Sequence, residues 1–282
     1  MFGYHFHLLQ CVVTDETETP EFNGFNTRAS RQQGQSPSPK THVNYLPLID
    51  AKPSDPSTIL TSMMKAKRLT NARGQYWVIY TADQQLYKVT CQIIWNNVEQ
   101  FTSFIPRLGG MHFLMSFIGT VGANAADSGL AEVLESAFAG VTKMLGGKKF
   151  PQNLRALRLL TEELLRETLQ SAEMQSMHDL QSHLESLSDM SRTAKLWINT
   201  IIRPTLIMMK FVRAERENDF HLHLKAVAEA LPYFFSAGHI NYARYGVYYL
   251  RQMESLPDDV LERFEKGEHT VHLKAGIWNG IW

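Results

Sequence analysis

Two aspartates in this chain follow short apolar runs, and carboxylates so placed can hold a hard cation. Asp50 closes Val43–Ile49, and Asp83 comes after Tyr76-Trp77-Val78-Ile79-Tyr80. If both runs are parallel strands of one sheet, the two carboxylates share an end of it. Mg2+ and Mn2+ prefer oxygen ligands, and a metal held there could activate water against a phosphodiester. The local alternative is that Asp83 caps the helix that follows it, and that Asp50 opens a turn with Pro53. His112 begins an apolar helix after Gly109-Gly110. Its imidazole titrates near neutrality and suits a base or a ligand, although a lone histidine at a helix start also has purely structural uses.

Lys143, Lys148, Lys149, Arg155 and Arg158 form the notable basic cluster, with no acidic residue between Glu135 and Glu162. Gly146-Gly147 and Pro151 put the lysines on a loop ahead of a helix. Cations at a helix N-terminus suit phosphate, and this set would neutralise several DNA phosphates. An ordinary solvated loop would look the same. Gly146-Gly147-Lys148-Lys149 lacks the spacing of a phosphate-binding P-loop. His178 and His183 are five apart and His221 and His223 two apart, so neither pair aligns on one helical face as metal ligands would. Both pairs are read as surface residues. His239-Ile240-Asn241-Tyr242-Ala243-Arg244-Tyr245, dense in polar aromatics on an otherwise buried helix, reads either as a functional surface or as an internal hydrogen-bonded core, the core being favoured.

The elements that would carry these residues are those of a globular protein. Hydrophobic residues make up 44% and charged residues 20%, which excludes a disordered chain. Lys plus Arg and Asp plus Glu number 28 each, so the molecule as a whole is no polyanion binder and nucleic acid would need a local patch. Cys11 and Cys91 stand far apart, which excludes a disulfide scaffold and a zinc ribbon and fits a reducing compartment. The longest apolar stretches, Met111–Val121 and Leu206–Val212, fall short of the ~20 residues of a membrane span. An intracellular protein is expected, with no membrane partner.

Val43–Ile49 reads as a buried strand despite Pro47. Asp55 and Pro56 read as the N-cap and first residue of a helix that Gly74 ends. Tyr76–Tyr80 reads as a central strand, Gln84–Asn97 as a helix and Phe104–Leu108 as a strand. This β-α-β-α-β order predicts a parallel or mixed sheet. From Met111 the pattern is helical: Met111–Ala125, Leu130–Leu145, Asn153–Leu169, then 172–187, 191–217, 219–236 and 239–254, with Pro204 kinking the helix that contains it. Met1–Val13 is mildly apolar without a targeting signal and 14–42 is polar and turn-rich, so 1–42 is expected to be poorly ordered, with a candidate first strand at Phe22–Thr27. The apolar end, Gly276 to Trp282, wants a partner surface, and the reading frame is expected to be truncated there.

The motifs Tyr45-Leu46-Pro47-Leu48-Ile49-Asp50, Asp83-Gln84-Gln85-Leu86-Tyr87, Arg107-Leu108-Gly109-Gly110-Met111-His112, Asp127-Ser128-Gly129-Leu130 and Gly238-His239-Ile240-Asn241-Tyr242-Ala243-Arg244-Tyr245 resemble those of a family of uncharacterised, transposon-encoded proteins. That family recurs in many copies in cnidarian, other invertebrate and fish genomes. The resemblance covers roughly residues 22–282. More weakly, a strand ending in Asp, a helix, a proline-containing strand and a later histidine resemble the middle of cut-and-paste transposases with an RNase-H-like core. Those enzymes bind two metals through three acids. The resemblance implies Asp83 as the second acid, His112 as the histidine that follows it, and Mg2+ or Mn2+ as cofactor. The chain departs from that pattern in three places. Gly109 stands where a cysteine or acid is common, Asn23 stands where the first acid is due, with Asp50 only a substitute, and no third acid follows the helices.

The expected fold class is α/β, a partial RNase-H-like core at 43–125 followed by a mostly α-helical, insertion-like region at 126–270 and an extended tail at 271–282. The expected function is a transposase-like protein or remnant, catalytically incomplete alone, with DNA as partner and the nucleus as its location if it acts on DNA. The rival is a non-enzymatic, helix-rich interaction module that docks a protein through its apolar C-terminal end.

Overall fold

The computed structural model describes residues 41–169 and 177–271. The candidate strand at Phe22–Thr27, Asn23, Cys11, the side chain of His178 and the apolar end beyond Val271 lie outside the described residues.

Asp55 opens the first described helix, α1 (Pro56–Ala72), where its Oδ1 accepts the Ser57 N–H at 2.9 Å. Pro56 occupies the first turn, where its missing N–H costs nothing. Gly74, at φ +70°, turns the chain out of the helix. Strand β1 (Val78–Ala82) follows, two residues later than the aromatic run suggests. Helix α2 (Gln84–Asn96) crosses over to β2 (Phe104–Leu108), and the two strands pair in parallel, Val78 opposite Phe104 and Ala82 opposite Leu108. Every β2 residue is buried, as a strand covered on both faces should be. Ile59 and Met63 of α1 pack with Val78, Ile93, Phe101 and Phe104 on one side of this unit.

Val43–Ile49 is not a strand. Residues 41–49 have no regular structure, and Tyr45 and Leu48 are 94% and 98% exposed. Pro47 has no N–H to give a ladder, and the segment pairs with neither described strand. Asp50 is therefore an exposed residue ahead of α1 that follows no strand.

Helix α3 (Gly110–Asn124) starts directly after β2 and is the centre of the molecule. Phe113 stacks on Phe211 and meets Phe234 and Tyr242 edge-on. The helix expected over Leu130–Leu145 is two short ones, α4 (Leu130–Glu135) and α5 (Val141–Leu145). They separate where Gly140 takes φ +73°, a conformation that no helix continues through. Helices α6 (Phe150–Leu169), α7 (Met177–Met190) and α8 (Arg192–Trp197) follow. A π-helical turn over Ile198–Ile202 then leads into α9 (Arg203–Glu217). The wider turn stands just before Pro204, whose ring and missing N–H disrupt the regular ladder there, so the expected kink takes this form. Asp219 caps α10 (Phe220–Ser236), and α11 (Ile240–Glu254) and α12 (Asp258–Arg263) complete the array.

The protein is thus mostly helical, with a small two-stranded parallel sheet among the described residues. One hydrophobic core runs from Tyr87 and Ile105 through α3 to Met208, Phe234, Tyr249 and Phe264, so residues before and after 125 share it. No helix of the described residues is long and apolar enough to cross a membrane.

Candidate functional site

Asp83 follows β1 and serves α2 directly, its Oδ1 accepting the Leu86 N–H at 2.9 Å. The cap is what fixes this carboxylate at the C-terminal end of the sheet. Gly109, after β2, donates its N–H to the Ala82 carbonyl at 2.7 Å, so the turn into α3 lies against the residue that precedes Asp83. Tyr242 of α11 reaches the same region. Burial pushes its hydroxyl up to about 12, against the effect of a hydrogen bond with Ser116, and the Asp83 charge adds to the rise. His112, in the first turn of α3, is exposed. The two residues therefore occupy the same end of the sheet, where parallel α/β units bind ligands.

A second cluster lies directly behind this turn, and the sequence reading does not contain it. Glu215 of α9 comes so close to Gly110 that its Cδ would stand 3.7 Å from a side-chain Cβ there. Its Oε1 accepts from His223 Nδ1 at 2.6 Å. His223 Nε2 lies 2.9 Å from the Tyr249 hydroxyl. With Tyr249 donating to His223 Nε2 and His223 Nδ1 donating to Glu215, each proton meets a lone pair. Arg107 donates to the His269 carbonyl, and its guanidinium lies over the Phe264 ring at 5.3 Å. Arg107, His223 and His269 are all less than 8% exposed.

Electrostatics follow from that burial. Burial alone would raise the Glu215 carboxyl, but His223 beside it and Arg107 beyond hold it below the usual carboxylate range. Burial pushes His269 down to about 3, helped by the nearby Arg107 and His223, so its ring is neutral at neutral pH. Cys91, fully buried against Tyr87, is pushed up to about 12 by burial and is a protonated thiol. His223 is consequently no surface residue. Its neighbour His221 does face outward and pairs with Glu265 at 2.8 Å, and His183 contacts the Thr168 carbonyl at 3.1 Å. The residue types were visible, but nothing in sequence spacing joins positions 107, 215, 223, 249 and 269.

The basic residues occupy a different face. Lys143 lies on α5, Lys148 and Lys149 on the turn between α5 and α6, and Arg155 on α6, all exposed. Arg158 is half-buried and pairs with Glu162 at 3.4 Å, so it is already neutralised. None of the other four forms an ion pair among the described residues. The turn that carries them is firmly held. The Asn153 amide, fully buried, donates to the carbonyls of Met144 and Lys148. Gly147, at φ +79°, lies so close to the Met115 carbonyl that a Cβ would overlap it, and Gly122 of α3 is equally close to the Leu145 carbonyl. Glycines at these contacts let the rim sit on the central helix. An open apolar depression lined by Phe138, Pro151, Gln152 and Leu159 adjoins Arg155.

Asp50 and Asp83 are not on adjacent strands, and among the described residues no three His, Cys, Asp or Glu side chains gather around a common point.

A family model described as "Domain of unknown function (DUF8702)" matches residues 21–177 and 167–282. The chain belongs to that family. No curated protein and no solved structure matches it.

Proposed function

We propose that this member of the DUF8702 family is a DNA-binding, transposase-like protein that grips the phosphate backbone with its α5–α6 rim. The carrying observation is that Lys143, Lys148, Lys149 and Arg155 are exposed and without an acidic partner among the described residues, in a chain whose formal net charge is zero. Exposed, unneutralised cations on a held turn release counterions from DNA without first breaking a bond of their own. The parallel β1–α2–β2 unit, with Asp83 and His112 at its C-terminal end, supports a core of RNase-H-like descent. The described residues supply positioning and backbone contact, and no cleavage step is assigned to them. The protein would work in the nucleus.

Fluorescence anisotropy with a labelled duplex tests the rim. The double variant Lys148→Ala/Lys149→Ala should bind more weakly and lower the slope of log K against log salt by about 2, near 0.9 per lost phosphate contact. An unchanged slope would sink the reading. The second reading, a protein-interaction module, is favoured by one feature, the exposed apolar residues Tyr45, Leu46 and Leu48 ahead of α1. It becomes the better one if duplex binding is absent at low salt.

A further inference from the structure

We infer that the C-terminal half of α1 and the turn after it form a binding site for single-stranded nucleic acid, distinct from the rim. This site deepens the DNA-handling reading and stands on other residues. Between Asp55 and Asp83 the chain has no acidic residue, yet it carries Lys65, Lys67, Arg68 and Arg73. Lys65 and Arg68 are three apart, on one helical face. Arg68 and Arg73 are exposed, and Lys65 is half-buried. Lys67 differs, since its ammonium is engaged by the Gln100 carbonyl. Lys65, Arg68 and Arg73 have no ion-pair partner among the described residues.

An exposed aromatic residue, Tyr76, follows three positions after Arg73. The Gln75 N–H donates to the Thr70 carbonyl at 3.1 Å and folds the chain tightly back on the helix end, which brings Tyr76 next to its last turn. Tyr76 is 61% exposed. Its ring is not loose, because Trp77 meets it edge-on at 4.8 Å and Trp77 is itself tied down by an indole N–H donated to Asp259 at 2.7 Å. A propped, exposed ring just past a helix end that carries unneutralised cations would offer a base a stacking face and neighbouring phosphates their counter-charges. Stacked bases inside a duplex present no free face, whereas those of a single strand do. The preferred ligand is therefore a single strand read without sequence preference.

The test is fluorescence anisotropy with a labelled oligo-dT and, in parallel, a duplex of equal length. Tyr76→Ala should weaken oligo-dT binding about tenfold, as expected for one lost base stack, and leave duplex binding unchanged. Tyr76→Phe should restore it, since the ring and not the hydroxyl stacks. Arg68→Ala/Arg73→Ala should lower the salt slope on oligo-dT by about 1.4, near 0.7 per contact on a single strand. The rim variant Lys148→Ala/Lys149→Ala should do the reverse, losing duplex and keeping oligo-dT. Wild-type oligo-dT affinity in Tyr76→Ala overturns this site while the rim reading stands. Loss of binding to phosphatidylserine vesicles, with oligo-dT binding intact, would make α1 a membrane-surface helix and also overturn it. Failure of the wild-type protein to bind either oligonucleotide removes both proposals.

Discussion

Charged side chains meet opposite fates behind the β2–α3 turn and on the α5–α6 rim. Behind the turn, Arg107 and His223 are buried, and His223 bridges the Glu215 carboxylate and the Tyr249 hydroxyl. On the rim, Lys148 and Lys149 keep their hydration and touch no acid among the described residues. A buried charge without its partner is costly, so the inner set must be complete to exist at all. A solvated charge has no such requirement and stays available to an outside anion. Density of charged groups therefore does not mark the binding face here. What separates the two regions is whether the charges have already been answered from within.

The largest effect should come from breaking the inner set. Glu215→Ala leaves His223 and Arg107 buried without their carboxylate and should cost about 3–5 kcal/mol, read from denaturant unfolding. A loss below about 1 kcal/mol would show that water reaches the cluster and that the contrast with the rim is overstated. Acid should act next. His269 is held down to about 3 by burial and by Arg107, while the unfolded chain protonates it near 6.5. The unfolded state thus binds the extra proton as pH drops, so the stability that His269 contributes is complete above about pH 6.5 and is lost toward pH 3. Glu215, also lowered, adds a loss of the same sign once pH falls beneath the usual carboxylate range. His269→Gln should flatten the upper part of that slope, and unfolding measured across pH 7 to 3 decides it.

Smaller effects sharpen the assignment of the turn itself. Asp83→Ala removes a cap from α2 and should cost about 1 kcal/mol, with Mg2+ and Mn2+ titrations matching those of the wild type. Metal binding lost at constant stability would instead restore Asp83 to the cation-ligand role that its position after β1 suggests. At the bottom of the scale, Lys148→Ala/Lys149→Ala should stay within about 0.5 kcal/mol of wild type in stability, since both residues are exposed and form no ion pair among the described residues. That near-silence, together with the weakened duplex binding, is what a dedicated surface should show.

Several elements were legible because their causes are local. Asp55-Pro56 opens α1, Gly74 closes it, and Phe104–Leu108 is a strand, each as expected from residues within one or two turns of chain. The basic rim was visible as an acid-free stretch, although only the structure shows Arg158 spent on Glu162. Val43–Ile49 misled because an apolar run resembles a strand whether or not an edge exists to receive it, and Pro47 weakens the case further. The break in Leu130–Leu145 was overlooked because the apolar stripe continues across Gly140 while the backbone does not.

By itself, then, the sequence determined the cap and both ends of α1, the β1–α2–β2 alternation and where cations outnumber acids, since each depends on neighbours along the chain. Tertiary structure alone decided that His223 is inside, that Glu215 lies under Gly110, and that Trp77, tied to Asp259, props Tyr76. Those contacts join residues up to 182 positions apart. They are set by which helix faces pack together, a choice made by burial over the whole chain and written in no local spacing.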